Sequence, residues 1–353
     1  MGVIKYDRTL FEPEHELFRE SYRAFLDRHA EPYREEWEKA KIVDREVWRE
    51  AGKQGFLGMA VPEEYGGGGN PDFRYNVIVS EETAAGRHSG LGFTLQNDVI
   101  APYLLELTNE EQKQRWLPGF CNGELICAIA MTEPGTGSDL QGIKTRAVKD
   151  GDHYVLNGSK TFITNGPYAD TIVFIAKLDE GNDPKDRKVL SFVLDAGTPG
   201  LVQSKPLRKM GMHSSPTGEL FLTDVRVGRD RLIGETEDVS KGGRDGAKAT
   251  FQQERSGVAA MALGIIEQCL EVCVEYAKER VQFGQRIGDF QLIQQKLAKM
   301  EVARMNVQNL VFRTIELSKA GKTMTFAEAS AMKLYSAQIA TEIALEAAPQ
   351  QWP

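Results

Sequence analysis

The sequence predicts an α+β protein in which a helical domain, a β domain and a helix bundle follow one another along the chain. Three observations carry that expectation. Apolar residues recur at helical spacing up to about Phe120. Short strand-like runs separated by Gly, Asp, Asn and Pro then occupy the stretch from Ile126 to about Gly234. Beyond Lys241 the helical pattern returns and runs almost to the end. A chain of 353 residues is too long for one ordinary core, so boundaries are expected at residues 1–125, 126–240 and 241–353.

In the first third, Leu17, Phe18, Tyr22, Phe25 and Leu26 recur at helical spacing, as do Val47, Trp48, Ala51 and Phe56. Pro62 to Asn70, with four consecutive glycines, breaks that pattern. Tyr65 and Gly66 read as a turn before a helix, because no Lys-Ser/Thr pair follows to make a phosphate loop. Thr108-Asn109-Glu110-Glu111 has the form of a capping box, with the Thr108 hydroxyl and the Glu111 carboxylate each satisfying a free N–H. In the middle third, strands are expected over 126–131, 154–156, 172–176, 189–194 and 220–227, and Asn157-Gly158 is a turn signal. Helices are expected over 247–281, 291–320 and 325–347, which hold many alanines and few breakers. Thr325-x-x-Glu328 opens the last as a capping box. Helices of this length without membrane character pack as a bundle. The sequence shows no internal repeat and no low-complexity segment.

Composition narrows the function classes. The chain is 41% hydrophobic and 27% charged with no long apolar run, so no transmembrane segment is expected. Met1 to Phe11 lacks a basic start followed by an apolar core and does not read as a secretory signal. A net charge of −8 argues against broad nucleic-acid binding, which needs basic surface. Cys121, Cys127, Cys269 and Cys273 match no common zinc spacing and form no Cys-x-x-Cys pair. They read as thiols in a reducing cytoplasm, so a cytoplasmic location is expected. The histidines are scattered, and no metal site is expected.

The chemistry centres on Met131-Thr-Glu-Pro-Gly-Thr-Gly-Ser-Asp139. Gly135 and Gly137 sit between a proline and a hydroxyl–carboxylate pair, directly after the apolar run Ile126 to Ala130. A loop of that kind lets backbone N–H groups approach a ligand closely and point outward together, which suits anionic or carbonyl-rich ligands. A second segment, Lys160-Thr-Phe-Ile-Thr-Asn-Gly166, reads as a strand ending in a turn. One Gly-x-Gly is a common surface turn; the two segments together point to a cofactor wall.

These segments, with Lys209-Met-Gly-Met-His-Ser-Ser215, Glu219-Leu-Phe-Leu-Thr-Asp-Val-Arg226 and Arg280-Val-Gln-Phe-Gly-Gln-Arg286, stand in the order found in one family. From about Phe11 to Ala347 the chain resembles the acyl-CoA dehydrogenase flavoproteins, most closely the long-chain type. The resemblance implies a β-barrel-like middle domain with FAD lying across it. It also implies dehydrogenation of a long-chain acyl-CoA to a trans-2-enoyl-CoA in fatty acid β-oxidation, electron transfer to electron-transfer flavoprotein, and a homotetramer built as a dimer of dimers. Ile129, Ala130, Met131, Thr132, Gly137 and Ser138 would lie along the flavin, with backbone N–H groups and the Thr132 hydroxyl meeting its edge. Phe162, Ile163 and Thr164 would cover the other face. Arg280, Phe283 and Gln291 would bind the FAD of a neighbouring subunit, arginine being suited to pyrophosphate by its planar fork. Substrate contacts are implied for Ser138, Gln252, Gln253 and Arg255.

Removing an α-proton from an acyl thioester while a hydride leaves the β-carbon requires a carboxylate near the first and the flavin N5 near the second. Phe251-Gln-Gln-Glu254-Arg255 matches the place where the long-chain and isovaleryl types carry that glutamate. The residues three, four and seven positions after Glu254 are Gly257, Val258 and Met261, so its carboxylate is expected on an apolar, small-residue helix face. Desolvation there should raise its pKa toward neutrality. The bland alternative is a solvated helix glutamate or a partner for Arg255. His213 with Ser214 and Ser215 has no evident acid partner and reads as a loop.

The sequence departs from the family after Ala347. There the family continues with Gln-x-x-Gly-Gly-x-Gly, whereas this chain ends Ala348-Pro-Gln-Gln-Trp-Pro353. The family's segment supplies an N–H to the thioester carbonyl, and loss of one such donor costs about 10²–10³ in rate. A shortened, less active enzyme is therefore expected. The alternatives are an inactive acyl-CoA- or FAD-binding remnant and an acyl-CoA oxidase.

Overall fold

The computed structural model describes residues 8–239 and 244–348, with side chains in the second stretch from Arg255 onward. In chain order the helices and strands are α1 (Pro13–His29), α2 (Arg34–Ala40), α3 (Arg45–Lys53), α4 (Phe73–Ala85), α5 (Ala101–Glu106), α6 (Glu110–Cys121), β1 (Cys127–Ala130), β2 (Arg146–Asp150), β3 (His153–Thr164), β4 (Thr171–Leu178), β5 (Val189–Asp195), β6 (Leu201–Gln203), β7 (Thr217–Gly228), α7 (Arg244–Glu279), β8 (Val281–Gln282), β9 (Gln285–Arg286), α8 (Gln291–Lys319) and α9 (Phe326–Ala347). They divide into two compact units. A helical unit comprises Met1–Glu31, Asp72–His88 and Gln252–Pro353, and a sheet-centred unit comprises Pro32–Pro71 and Ser89–Phe251.

In the helical unit, small residues let long helices pack closely. Ala259, Ala260 and Leu263 of α7, Val77 and Ile78 of α4, Met300, Ala303 and Val307 of α8, and Ala329 and Met332 of α9 share one buried core. A methyl placed on Gly264 would lie 2.2 Å from the carbonyl oxygen of Glu81, so α7 and α4 meet nearly backbone to backbone. The Thr325–Glu328 capping box forms as the sequence predicts. One of the apolar residues at helical spacing lies outside the core. Leu17 is 66% exposed, because the buried face of α1 runs through His15, Arg19, Tyr22, Phe25 and Leu26. The two polar members of that face have polar partners: Arg19 Nη1 lies 2.5 Å from Glu82 Oε1, and His15 Nε2 lies 3.2 Å from Asp72.

In the sheet unit, β4 is the central strand. β5 pairs antiparallel along one edge, while β1 and β2 run parallel to β4 in line along the other. β3, β7 and β6 continue outward by antiparallel pairing into a curled half-barrel. One face of the sheet buries Leu156, Ile172, Phe174, Phe192 and Leu220. Val173 and Val193 point to the opposite face, against Trp116, Leu117 and Phe120 of α6. Covered on both sides, β4 lacks the alternation of a half-exposed strand.

Two local expectations are corrected. Asn157-Gly158 is no turn: it lies inside β3 at a register shift, where a methyl on Gly158 would come within 2.4 Å of Thr145 Oγ1. The turn joining β2 to β3 is Gly151-Asp152, with Gly151 at φ +64°. At the start of α6 the cap is Asn109, which trades bonds with Gln112, while the Thr108 hydroxyl donates back to the Leu104 carbonyl. The five expected strands are present; the first is shorter, ending at Ala130, and the other four run longer than expected. The mostly exposed β2, the short β6 and the β8–β9 hairpin have no counterpart in the apolar pattern.

Candidate cofactor and catalytic site

The loop Met131–Asp139 leaves the end of β1 and is held from within by a buried ion pair. Glu133 and Thr136 exchange two backbone bonds of 2.9 and 3.1 Å, making a tight turn around Pro134-Gly135. The Glu133 carboxylate accepts from the amides of Lys144 (2.6 Å) and Thr145 (2.9 Å) and from Lys160 Nζ (2.9 Å). Lys160, fully buried on β3, also donates to the Met131 carbonyl at 3.0 Å. Burial would push Glu133 upward, but the bonds from Thr145, Lys144 and Lys160 outweigh it and hold the carboxyl below its usual range. Burial also pulls Lys160 below the usual lysine value, against the opposing pull of Glu133.

Sequence reasoning missed both of these residues. The available signal was register: Lys160 falls on the inward side of β3 with Tyr154 and Leu156, where a charge needs a partner.

With its interior fastened, the loop turns backbone outward. The N–H groups of Thr132, Gly137 and Ser138 have no intramolecular partner among the described residues. Gly135 has nothing within 4 Å of an added methyl, and at Gly137 the nearest atom is Thr132 Cγ2 at 3.9 Å. Gly137 and Ser138 are exposed, Ile129, Met131 and Thr132 half-buried, and Ala130 buried.

The second segment meets the loop where the Thr161 amide donates to the Thr132 carbonyl at 2.9 Å. A β-bulge between Lys160 and Ile163 sets Thr161 and Phe162 against the single residue Glu219 of β7. The bulge puts Phe162 at φ +58° with its ring 68% exposed. Ile163 points the other way, into the sheet core, and Thr164 is half-buried. Asn165 closes the segment by donating from Nδ2 to the Cys127 carbonyl at 3.2 Å, tying it back to β1.

His213, Ser214 and Ser215 have an acid neighbour that the sequence did not reveal. Glu38 accepts from the amides of His213 (3.2 Å) and Ser214 (3.1 Å) and from the Ser214 hydroxyl. Burial pushes Glu38 up, yet the Ser214 and His213 bonds dominate and hold it below its usual range. No nucleophile–base chain results: His213 Nε2 lies 3.1 Å from the Lys209 carbonyl, and the Ser214 hydroxyl is spent on Glu38.

In the helical unit, Arg280 follows α7, and the Ile287 amide donates to its carbonyl at 2.8 Å across the β8–β9 hairpin. Phe283 at the hairpin tip is 94% exposed, and Gln291, exposed, begins α8. Arg255 is half-buried with its guanidinium 4.7 Å from the centre of the Phe326 ring. Gln252, Gln253 and Glu254 fall within α7, and their side chains lie outside the described residues.

Three domain families match in order: acyl-CoA dehydrogenase N-terminal domain over residues 12–124, middle domain over 128–225 and C-terminal domain over 241–350. The long-chain specific mitochondrial acyl-CoA dehydrogenase of Rattus norvegicus is 36% identical over 339 residues, covering 96% of this chain and 77% of its own. The chain is a member of the acyl-CoA dehydrogenase family. Another relative of this acyl-CoA dehydrogenase family member is the 3-(aryl)acrylate reductase of Clostridium sporogenes, 36% identical over 96% of this chain and 88% of that one. Among solved structures, an acyl-CoA dehydrogenase from Geobacillus kaustophilus superposes with a TM-score of 0.91 at 41% identity, covering 96% of this chain and 88% of the other.

Acyl-CoA dehydrogenases are flavoprotein oxidoreductases that bind FAD. The residues present fit that cofactor. A row of outward amides suits the carbonyl- and nitrogen-rich edge of a flavin, and an exposed aromatic ring held beside it suits a flat ring face.

Proposed function

We propose that this protein dehydrogenates a long-chain acyl-CoA to its trans-2-enoyl-CoA and passes the electrons to an electron-transfer flavoprotein. Support comes foremost from the joint presence of the outward-facing loop Met131–Asp139 and the Phe251–Arg255 segment on α7. Bound FAD supplies the hydride acceptor. The chain's own residues do the rest. The amides of Thr132, Gly137 and Ser138 and the Thr132 hydroxyl orient the flavin edge, and Phe162 and Thr164 shield a face from water. Glu254 takes the α-proton. Three, four and seven residues along α7 from it lie Gly257, buried, and Val258 and Met261, half-buried, small and apolar neighbours that suit a base working beside an acyl chain. Ser138, Gln252, Gln253 and Arg255 hold the thioester portion of the substrate. Arg280, Phe283 and Gln291 meet the FAD of a neighbouring subunit in a homotetramer. The exposed apolar residues Phe283, Leu292, Val302, Leu334 and Leu345 of the helical unit support such an assembly.

The test is anaerobic bleaching of flavin absorbance by short, branched and long acyl-CoA thioesters. Long-chain thioesters should bleach fastest, and Glu254→Gln should abolish bleaching while FAD stays bound. Undiminished bleaching in that variant rejects Glu254 as the base. The Clostridium sporogenes relative favours a second reading, in which the flavin reduces an activated acrylate. Reoxidation of the reduced protein by an aryl-acrylyl thioester, by electron-transfer flavoprotein or by oxygen separates reductase, dehydrogenase and oxidase.

A further inference from the structure

We propose that Lys160 is a positioning residue that aims the Thr132 N–H at the flavin by holding the Met131 carbonyl from behind. The inference rests on the reading that the flavin edge lies along Met131–Ser138. In a trans peptide unit the C=O and the N–H point in opposite directions. Met131 O and Thr132 N belong to one such unit. Lys160 Nζ holds that oxygen inward at 3.0 Å, so the Thr132 N–H is turned outward, where it has no intramolecular partner among the described residues.

The next peptide unit is fixed independently. Thr132 O accepts from the Thr161 amide and the Glu133 N–H donates to Thr136 O. The 131–132 unit is therefore held at its own carbonyl and by the fixed unit that follows it, which opposes its swinging to follow a ligand. Glu133 serves as the counter-charge that lets a fully enclosed ammonium exist there, and it is itself anchored by the Lys144 and Thr145 amides. An N–H fixed in advance favours whichever flavin redox state carries more negative charge at the edge it meets. The arrangement thus bears on flavin potential as well as affinity.

The test compares three variants with the wild-type holoprotein, reading FAD affinity by titration of reconstituted apoprotein and flavin reduction potential by dye equilibration. Lys160→Met with Glu133→Gln removes the pair as a unit, leaving no uncompensated charge. It should bind FAD at least tenfold more weakly and have a more negative potential, about 30 mV for each tenfold change in the ratio of affinities for reduced and oxidised flavin. Lys160→Arg keeps the charge, and so the fold, but its longer planar fork displaces the Met131 carbonyl; a shifted potential is expected there too. A purely structural ion pair would lower thermal stability in these variants and leave the potential of the surviving holoprotein unchanged. Gly137→Val, at a position with open space, separates the two claims. If it binds FAD like wild type, the placement of the flavin on this loop is wrong. If it weakens FAD while the Lys160 variants keep affinity and potential, the loop reading stands and the role given to Lys160 falls.

Discussion

Phe162 combines two unfavourable features: a left-handed backbone conformation and a large apolar ring left in water. The first costs about 1–2 kcal/mol, and the second leaves the ring, 68% exposed, with little burial to offset it. Such a residue is retained for what it meets. Phe162→Gly should leave the apoprotein at least as stable as wild type, read as an unchanged or raised melting temperature, while weakening FAD binding several-fold. A lower apoprotein melting temperature would show that the ring serves the fold. At this scale the sequence was legible where a loop exposes its backbone, as at Gly135 and Gly137. It was not legible where two charges meet across a strand. Lys160 and Glu133 stand in the two quoted segments, yet nothing in either segment states that one side chain reaches the other. Glu38 is further still, since its contact with Ser214 depends on the tertiary fold.

Elements were read well where their signal is local. The Thr325–Glu328 box depends on four consecutive residues and formed as expected, and Thr325→Ala should cost about 1 kcal/mol, read from the urea midpoint. The cap before α6 was assigned one residue early, because Thr108 and Asn109 are both good caps and the choice turns on the Gln112 side chain. Leu17 shares the apolar run of its neighbours, yet helix geometry sets it outside the buried face through Arg19 and Tyr22. β2 was missed because Arg-Ala-Val-Lys-Asp shows no apolar alternation; its pairing with β3 and β4 makes it a strand. The contact between α4 and α7 yields a sharper expectation. At Gly264 a methyl has no space against the Glu81 carbonyl, and no flexible side chain is there to move. Gly264→Ala should destabilise by about 1–3 kcal/mol despite its better helix propensity; a stabilised variant would mean that the helices slide apart freely.

On the scale of the whole molecule, the order helix, sheet, helix was legible because the apolar period changes twice along the chain. The strand order was not, since β1 pairs with β4 far along the chain and no local pattern encodes that choice. Nor was the ionic network of the helical unit. Arg8 Nη2 lies 2.5 Å from Glu81 Oε1 and 3.0 Å from Glu267 Oε1, while Arg304 Nη1 lies 3.5 Å from the same Glu267 oxygen. Arg19 approaches Glu81 at 3.4 Å, joining α1, α4, α7, α8 and the segment before α1. Burial and the neighbouring Glu81 carboxylate push Glu267 well up, whereas Arg8 and Arg19 overcome the burial of Glu81 and hold it down. The signs are opposite. Glu81 contributes stability above the ordinary carboxyl range, lost as pH falls through its lowered folded value. Glu267 contributes stability that is full below the ordinary carboxyl range and is lost as pH rises through its raised folded value. The wild-type melting temperature should therefore fall, relative to Glu267→Gln, from about pH 5 to about pH 9. Parallel curves for the two proteins would show that Glu267 is ionised like any surface glutamate.

The in-line placement of β1 and β2 along one edge of β4 bears on how this site could change over generations. The cofactor loop leaves that edge opposite Phe174 and returns to it opposite Lys177, so about 10 Å of a single strand fixes both of its ends. Lengthening or shortening its outer part, from Pro134 to Leu140, need not disturb the pairing of any strand. Variation there can reshape what the loop grips while the sheet that carries it stays unaltered.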